Sequence, residues 1–154
     1  MNIFRDPVLL IAFGFGSGLS PRAPGTCGTL VAIPLFLLLQ QFSLTSYLAI
    51  VGVAAVAGVW VCSLASTRLG VHDHQGIVWD EIVGYWITMA GIAVSVQTII
   101  AGFILFRFFD ITKPWPIRQI DRSVAGGLGI MLDDVIAGVF AWIVLNILLL
   151  ADLV

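Results

Sequence analysis

The sequence predicts an all-α membrane protein, a compact polytopic bundle of about five short helices with interfacial or reentrant segments. Three observations carry that reading. Hydrophobic residues make up 60% of the 154 and charged residues only 10%, against roughly 25% charged in an ordinary soluble domain. So few charges cannot cover a soluble protein of this size, so lipid must be the solvent for much of its surface. The apolar residues also come in long runs separated by polar segments, and no run shows the alternation of a barrel strand, while open strands do not survive in hydrocarbon. The length suits one domain spanning residues 1–154, and a net charge of −2 is too small to imply a nucleic-acid partner.

The opening, MNIFRDPVLLIAFGFG, makes a poor signal peptide. Its Arg5 is balanced by Asp6, its apolar run is short, and no small-residue cleavage site follows. The expectation is a retained segment with a half-helix at the interface over residues 7–15. Five apolar runs follow: 28–39, broken by Pro34; 47–65, long enough to span; 82–97; 98–109; and 135–151. Several fall short of the roughly 20 residues of a standard span, which predicts short, tilted or partly embedded helices.

The charges are placed unevenly. Arg5, Asp6 and Arg22 precede the first run; Arg68, Asp73, Asp80 and Glu81 lie between the second and third; Arg107, Asp110, Lys113, Arg118, Asp121, Arg122, Asp133 and Asp134 lie between the fourth and fifth. The connections QQFSLTS and 94–98 carry no charge, and Asp152 is alone at the far end. If the chain crosses at each run, every Lys and Arg sits on one face, which the positive-inside rule makes cytoplasmic, with the N-terminus inside and the C-terminus outside.

Three segments can carry chemistry. Residues 14–29, GFGSGLSPRAPGTCGT, combine glycines with Ser and Thr hydroxyls, the means by which backbone N–H groups and side-chain donors cradle phosphate. The Gly-Lys-Ser/Thr ending of a Walker A loop is missing, and the plain alternative is a turn-rich lead-in to a helix. GIVWDE at 76–81 and GIMLDD at 129–134 each put a carboxylate pair at the mouth of an apolar helix, with a glycine soon after, Gly84 and Gly138. The helix dipole accounts for one acid per helix. Two adjacent acids at a membrane boundary are costly, and two such pairs on one side can converge on one or two divalent cations, Mg²⁺ being suited to hard oxygen ligands and phosphate. In FRFFDITKPWPIRQIDR, 106–122, Arg107, Lys113, Arg118 and Arg122 can hold a phosphate or lipid headgroup and Asp110 can add a metal ligand. The alternative is a basic loop that only sets topology.

Two patterns read as coincidental or secondary. Cys62 and Arg68 have the Cys-x5-Arg spacing of cysteine phosphatases, but CSLASTR lies at the end of a membrane helix with no glycine to open a loop. With only Cys27 beside Cys62, no disulfide framework is expected. His72-Asp73-His74 is too small a set for a zinc site and is expected to support the Asp80–Glu81 pair instead.

Taken together, SGLSPRAPGTCGTL, LGVHDHQGIVWDEIVG, FRFFDITKPWPIRQIDR and GGLGIMLDDVIAG resemble, in order and spacing, the motifs of the phosphatidylglycerophosphatase A family, over nearly the whole chain. The resemblance implies a Mg²⁺-dependent helical phosphatase of the bacterial inner membrane that removes the terminal phosphate of phosphatidylglycerophosphate. It implies that the acidic motifs fall on Asp80, Glu81, Asp133 and Asp134, that the Phe-Arg-x-x-Asp-x-x-Lys-Pro motif falls on Arg107, Asp110 and Lys113, and that the Ser-Pro-x-x-Pro-Gly-Thr motif falls on Ser20 and Thr26. The expected chemistry is metal-assisted hydrolysis, with one or two Mg²⁺ held by Asp80, Glu81, Asp133, Asp134 and Asp110, charge neutralised by Arg107 and Lys113, and the phosphate oriented by Ser20 and Thr26. Attack by water and an aspartyl-phosphate intermediate both remain open at this point. A transporter or ion channel with acidic helix-mouth sites is the rival reading, although such sites usually lie at the bilayer midplane.

Overall fold

A computed structural model describes residues 3–71 and 74–154. Among these, seven α-helices are present: α1 (Pro7–Ala12), α2 (Pro24–Leu39), α3 (Leu44–Leu69), α4 (Trp79–Thr88), α5 (Val96–Thr112), α6 (Ile117–Ser123) and α7 (Gly126–Leu150). Short 3-10 turns occupy Ile3–Arg5 and Gly14–Leu19, and the described residues contain no strand. The expected all-α class therefore holds. Helices α2, α3, α4, α5 and α7 are the five apolar runs, and α1 and α6 are short additional segments.

Local chemistry explains the boundaries. Asp6 caps α1 by accepting from the backbone N–H of Val8 and Leu9, with Pro7 in the first turn. Ser43 caps α3 through the N–H of Ser46, and Ser95 and Thr98 form a reciprocal capping box on α5. Gly70 ends α3 in the left-handed conformation. One boundary differs from expectation. Helix α7 starts at Gly126, so Asp133 and Asp134 stand about two turns inside it and not at its mouth. The glycine-rich start explains why: a Cβ on Gly127 would stand 2.0 Å from the Val59 carbonyl oxygen, so a side-chain-free surface lets this end of α7 lie directly on α3.

Helix α4 is the centre of the bundle. Its ten residues make a rod of about 15 Å, half of a hydrocarbon core of about 30 Å. Ile82, Val83, Gly84, Tyr85, Trp86 and Thr88 are all buried. Hydrogen bonds tie it to each of α2, α3, α5 and α7. The Trp86 indole donates to the Ala32 carbonyl of α2 at 3.1 Å, the Tyr47 hydroxyl of α3 donates to the Trp86 carbonyl at 2.6 Å, the Tyr85 hydroxyl donates to the Ile99 carbonyl of α5 at 3.4 Å, and the Thr88 hydroxyl reaches the Gly138 carbonyl of α7 at 3.3 Å. Away from water such bonds lock relative position, because the alternative is an unpaired polar group. Phe36 and Tyr85 pack edge to face over the same region.

The chain runs up and down. Phe36, Leu44, Tyr47, Met89 and Ile92 line one cavity at the uncharged end, joining the end of α2, the start of α3 and the end of α4. Arg68 in the last turn of α3 pairs with Asp6 at the opposite end. Helices α3 and α7 are long and apolar enough to cross a membrane. Most of the apolar stretch of α3 faces outward, with Val53, Val56 and Trp60 between 61% and 76% exposed. A soluble core helix would bury these side chains, so this surface suits hydrocarbon, and the protein is membrane-associated.

Candidate active site

At the charged end a cavity of about 320 Å³ opens among α2, α4, α5, α6 and α7. Its walls include Gly25, Asp80, Glu81, Arg107, Asp110, Lys113, Asp121, Asp133 and Asp134. Asp80 and Glu81 come from the first turn of α4. Asp133 and Asp134 come from α7, Arg107 and Asp110 from the last turns of α5, and Lys113 caps α5.

The carboxylates converge. One oxygen from each of Asp80, Glu81 and Asp134 lies within 4.8 Å of the others. The α4–α7 crossing makes this possible. A Cβ on Gly138 would stand 2.5 Å from the Gly84 carbonyl oxygen, and a Cβ on Gly84 would stand 2.9 Å from the Asp134 carbonyl oxygen, so only glycine permits the approach. Both glycines follow their acid pairs by a few residues, so the contact sets one pair against the other.

The cations hold the remaining acids. Arg107 pairs with Asp110, and its guanidinium lies 3.8 Å from Glu81. Lys113 donates to Asp121 at 2.8 Å and to Asp133. Burial pulls the Lys113 ammonium toward the neutral form, but these two carboxylates outweigh it and raise its pKa above the ordinary lysine value. Burial, and next the neighbouring Glu81, raise Asp80 well above the usual carboxylate range. Burial, and next the charge of Asp134, raise Glu81, with Arg107 opposing.

This arrangement fits a hard divalent cation. Asp80 Oδ1, Glu81 Oε2 and Asp133 Oδ1 are buried and lack hydrogen-bond partners, and buried carboxylate oxygens left so are costly. Six acids, Asp80, Glu81, Asp110, Asp121, Asp133 and Asp134, line a cavity with two cations, Arg107 and Lys113. A divalent ion between Asp80, Glu81 and Asp134 would meet oxygen donors only, the preference of Mg²⁺.

The sequence-predicted residues divide clearly. Asp80, Glu81, Arg107, Asp110, Lys113, Asp133 and Asp134 share the cavity, whereas Ser20 and Thr26 are not among its lining residues. The Ser20 hydroxyl donates to the Arg22 carbonyl at 2.8 Å. The glycine-rich segment contributes backbone instead. Gly25, in the first turn of α2, is so close that a Cβ there would stand 2.1 Å from Glu81 Oε1 and 3.1 Å from an Arg107 nitrogen. That places the N-terminus of α2, with its unpaired N–H groups, at the cavity wall. Gly25 and Asp121 line the cavity although motif reading did not single them out. Gly25 hid among several glycines, and Asp121 lies eight residues from Lys113, a spacing that no single helix face predicts.

Other motifs stand apart. Cys62 is buried within α3 and Arg68 pairs with Asp6, so the Cys-x5-Arg spacing forms no phosphate loop. His74 accepts from the Gly76 N–H at 3.0 Å and stacks near Phe13, outside the cavity lining. His72 and Asp73 lie outside the described residues.

Comparison with known proteins adds independent information. The model of the family described as Phosphatidylglycerophosphatase A matches residues 10–149. The chain is 47% identical over 137 residues to the Phosphatidylglycerophosphatase A of Escherichia coli strain K12, covering 88% of this chain and 80% of that one. It is 46% identical over 141 residues to the protein of the same name from Haemophilus influenzae, covering 90% and 86%. A Putative phosphatidylinositol-3-phosphatase of Bacteroides thetaiotaomicron is 40% identical over 147 residues, covering 90% and 91%. No solved structure matches. The family match runs from α1 to the last turn of α7 and takes in every residue that lines the carboxylate cavity, and on that extent the chain belongs to the phosphatidylglycerophosphatase A family.

Proposed function

We propose that the protein hydrolyses the terminal phosphomonoester of phosphatidylglycerophosphate to phosphatidylglycerol and phosphate, with Mg²⁺ held by Asp80, Glu81 and Asp134 and with Asp133 and Asp110 beside it. One observation carries this reading within the family: the carboxylates of Asp80, Glu81 and Asp134 converge in one cavity, and one oxygen each of Asp80 and Glu81 there has no hydrogen-bond partner among the described residues. When bound, Mg²⁺ supplies charge neutralisation on the phosphate oxygens and a lowered pKa for water.

The chain's own groups do the rest. The terminal phosphate carries more charge than the bridging phosphodiester, so it takes the deeper place among the cavity donors. Arg107 and Lys113 offset negative charge as the bond from phosphorus to the glycerol oxygen breaks and water oxygen bonds to phosphorus. The N-terminus of α2 at Gly25 orients phosphate oxygens through backbone N–H groups. The proton lost by water passes to a carboxylate of the cluster, and the leaving glycerol oxygen takes up one proton, from that carboxylate or from solvent water, so the step balances. Ser20, outside the lining, braces the α2 entry by donating to the Arg22 carbonyl.

Topology supports a cytoplasmic site. All Lys and Arg residues belong to the segments at the cavity end, and the positive-inside rule places that end in the cytoplasm of a multi-pass protein of the bacterial inner membrane. The transporter or channel reading finds no support: the named relatives are phosphatases.

The test is phosphate release from phosphatidylglycerophosphate micelles by purified protein, with Mg²⁺ and with chelator, and with phosphatidylinositol 3-phosphate in parallel. Release that needs Mg²⁺ and leaves phosphatidylglycerol is expected. Folded protein that releases none, or that prefers the inositol lipid, overturns the assignment.

A further inference from the structure

We infer that a second cavity, formed along α6, holds the phosphodiester of the same lipid substrate, so that Arg118 and Arg122 select a lipid carrying two phosphates. The inference rests on the lipid phosphatase reading above.

The two cavities share a wall and differ in charge. The second has a volume of about 550 Å³ and is lined by Lys113, Trp115, Arg118 and Arg122 among others, with no carboxylate. The first is lined by six acids. Lys113 lines both, and its ammonium is already held by Asp121 and Asp133 on the acidic side. A ligand with one phosphate among the carboxylates therefore meets Arg118 and Arg122 on crossing Lys113.

The arginines suit that role. They sit four residues apart on α6 and share a face. Arg107, Lys113 and Arg68 all form ion pairs, whereas Arg118 and Arg122 form none among the described residues. Their guanidinium forks match phosphate oxygens in pairs. A phosphodiester carries one charge and does not react, so it needs donors and no metal. Trp115 lines the same cavity, its indole N–H donating to Gln119 Oε1 at 3.1 Å. It is 79% exposed, as befits an aromatic side chain at the membrane interface where diacylglycerol must remain.

The same chemistry is offered by phosphodiesters of surrounding anionic lipids, and the experiment separates the two sources. Steady-state kinetics are measured for wild type, Arg118→Gln/Arg122→Gln and Arg118→Lys/Arg122→Lys, using short-chain phosphatidylglycerophosphate as a monomer in neutral detergent. Inhibition by inorganic phosphate is measured alongside. For the Gln pair, KM rises about tenfold or more, kcat is held, and phosphate inhibition is unchanged; the Lys pair lies between. Unchanged KM overturns the inference. So does a weakening of phosphate inhibition in step with KM, which would mean that α6 only shapes the first cavity. An effect confined to anionic vesicles and absent with the monomer would assign the arginines to the lipid surface, and overturns it too. Wild type that turns over beside a variant with unchanged KM removes only this inference; wild type without turnover removes the phosphatase reading beneath it.

Discussion

Gly84 and Gly138 meet where α4 crosses α7, so close that a Cβ on Gly138 would stand 2.5 Å from the Gly84 carbonyl oxygen. The Thr88 hydroxyl lies 3.0 Å from the Gly84 carbonyl and 3.3 Å from that of Gly138, bridging the crossing. Asp80 and Glu81 lie just before one glycine, and Asp133 and Asp134 just before the other, so the geometry of the site is set by a helix contact built on two glycines that carry no side chain.

Gly138→Ala should therefore damage the site from a distance. The added methyl forces α4 and α7 apart, at a cost of about 1–3 kcal/mol typical of overpacking, and lowers phosphate release with the acids intact. Gly52→Ala is the control, because a Cβ there meets nothing within 4 Å and alanine favours the helix by about 0.5–1 kcal/mol. Thermal unfolding in detergent should move in opposite directions for the two. Equal shifts would mean that the crossing tolerates a methyl group.

Asp80→Asn and Asp134→Asn test the carboxylate cluster. Each keeps side-chain volume and replaces one carboxylate oxygen, with its charge, by an amide nitrogen. Phosphate release should fall at least about a hundredfold, while the unfolding temperature in chelator stays level or rises, since a buried like charge is gone. Full activity in Asp80→Asn would remove the centre of the proposed mechanism.

Lys113 and Asp133 form a pair whose partners are unequally buried, the lysine side chain 26% and the aspartate 8% exposed. Lys113→Met strands the Asp133 carboxylate and should destabilise by about 1–3 kcal/mol, with partial screening through the exposed lysine. Adding Asp133→Asn to Lys113→Met should recover part of that loss in a double-mutant cycle. If the two losses simply add, the pair contributes nothing to the fold.

Divalent cation and pH should be linked. In the folded protein Asp80 and Glu81 are raised above their ordinary values by burial and by neighbouring acids. As pH rises from the ordinary carboxylate range toward the raised folded values, the unfolded chain holds fewer protons than the folded one, so stability falls. In chelator the unfolding temperature should drop over that interval. Mg²⁺ should reduce the drop and stabilise by about 2.7 kcal/mol at a hundredfold excess over its dissociation constant. Identical pH profiles with and without Mg²⁺ would argue against a cation at these carboxylates.

The sequence by itself determined the solvent, the helical class and the end of the bundle at which charge gathers. These follow from composition and from the order of apolar runs, because hydrocarbon admits no unpaired backbone and few charges. It also marked both acid pairs, together with Arg107, Asp110 and Lys113, since charge beside an apolar run stands out in one dimension. Only the tertiary structure decided that Asp134 joins Asp80 and Glu81 while Asp133 turns to Lys113. Adjacent residues on a helix point about 100° apart, and which of them meets α4 depends on the rotation of α7 at the Gly84–Gly138 contact. Likewise, Gly25 became part of the cavity wall, and Ser20 did not, through the approach of α2 to Glu81, which no local pattern encodes. Distances between helices come from packing shape, and packing shape exists only once the helices have met.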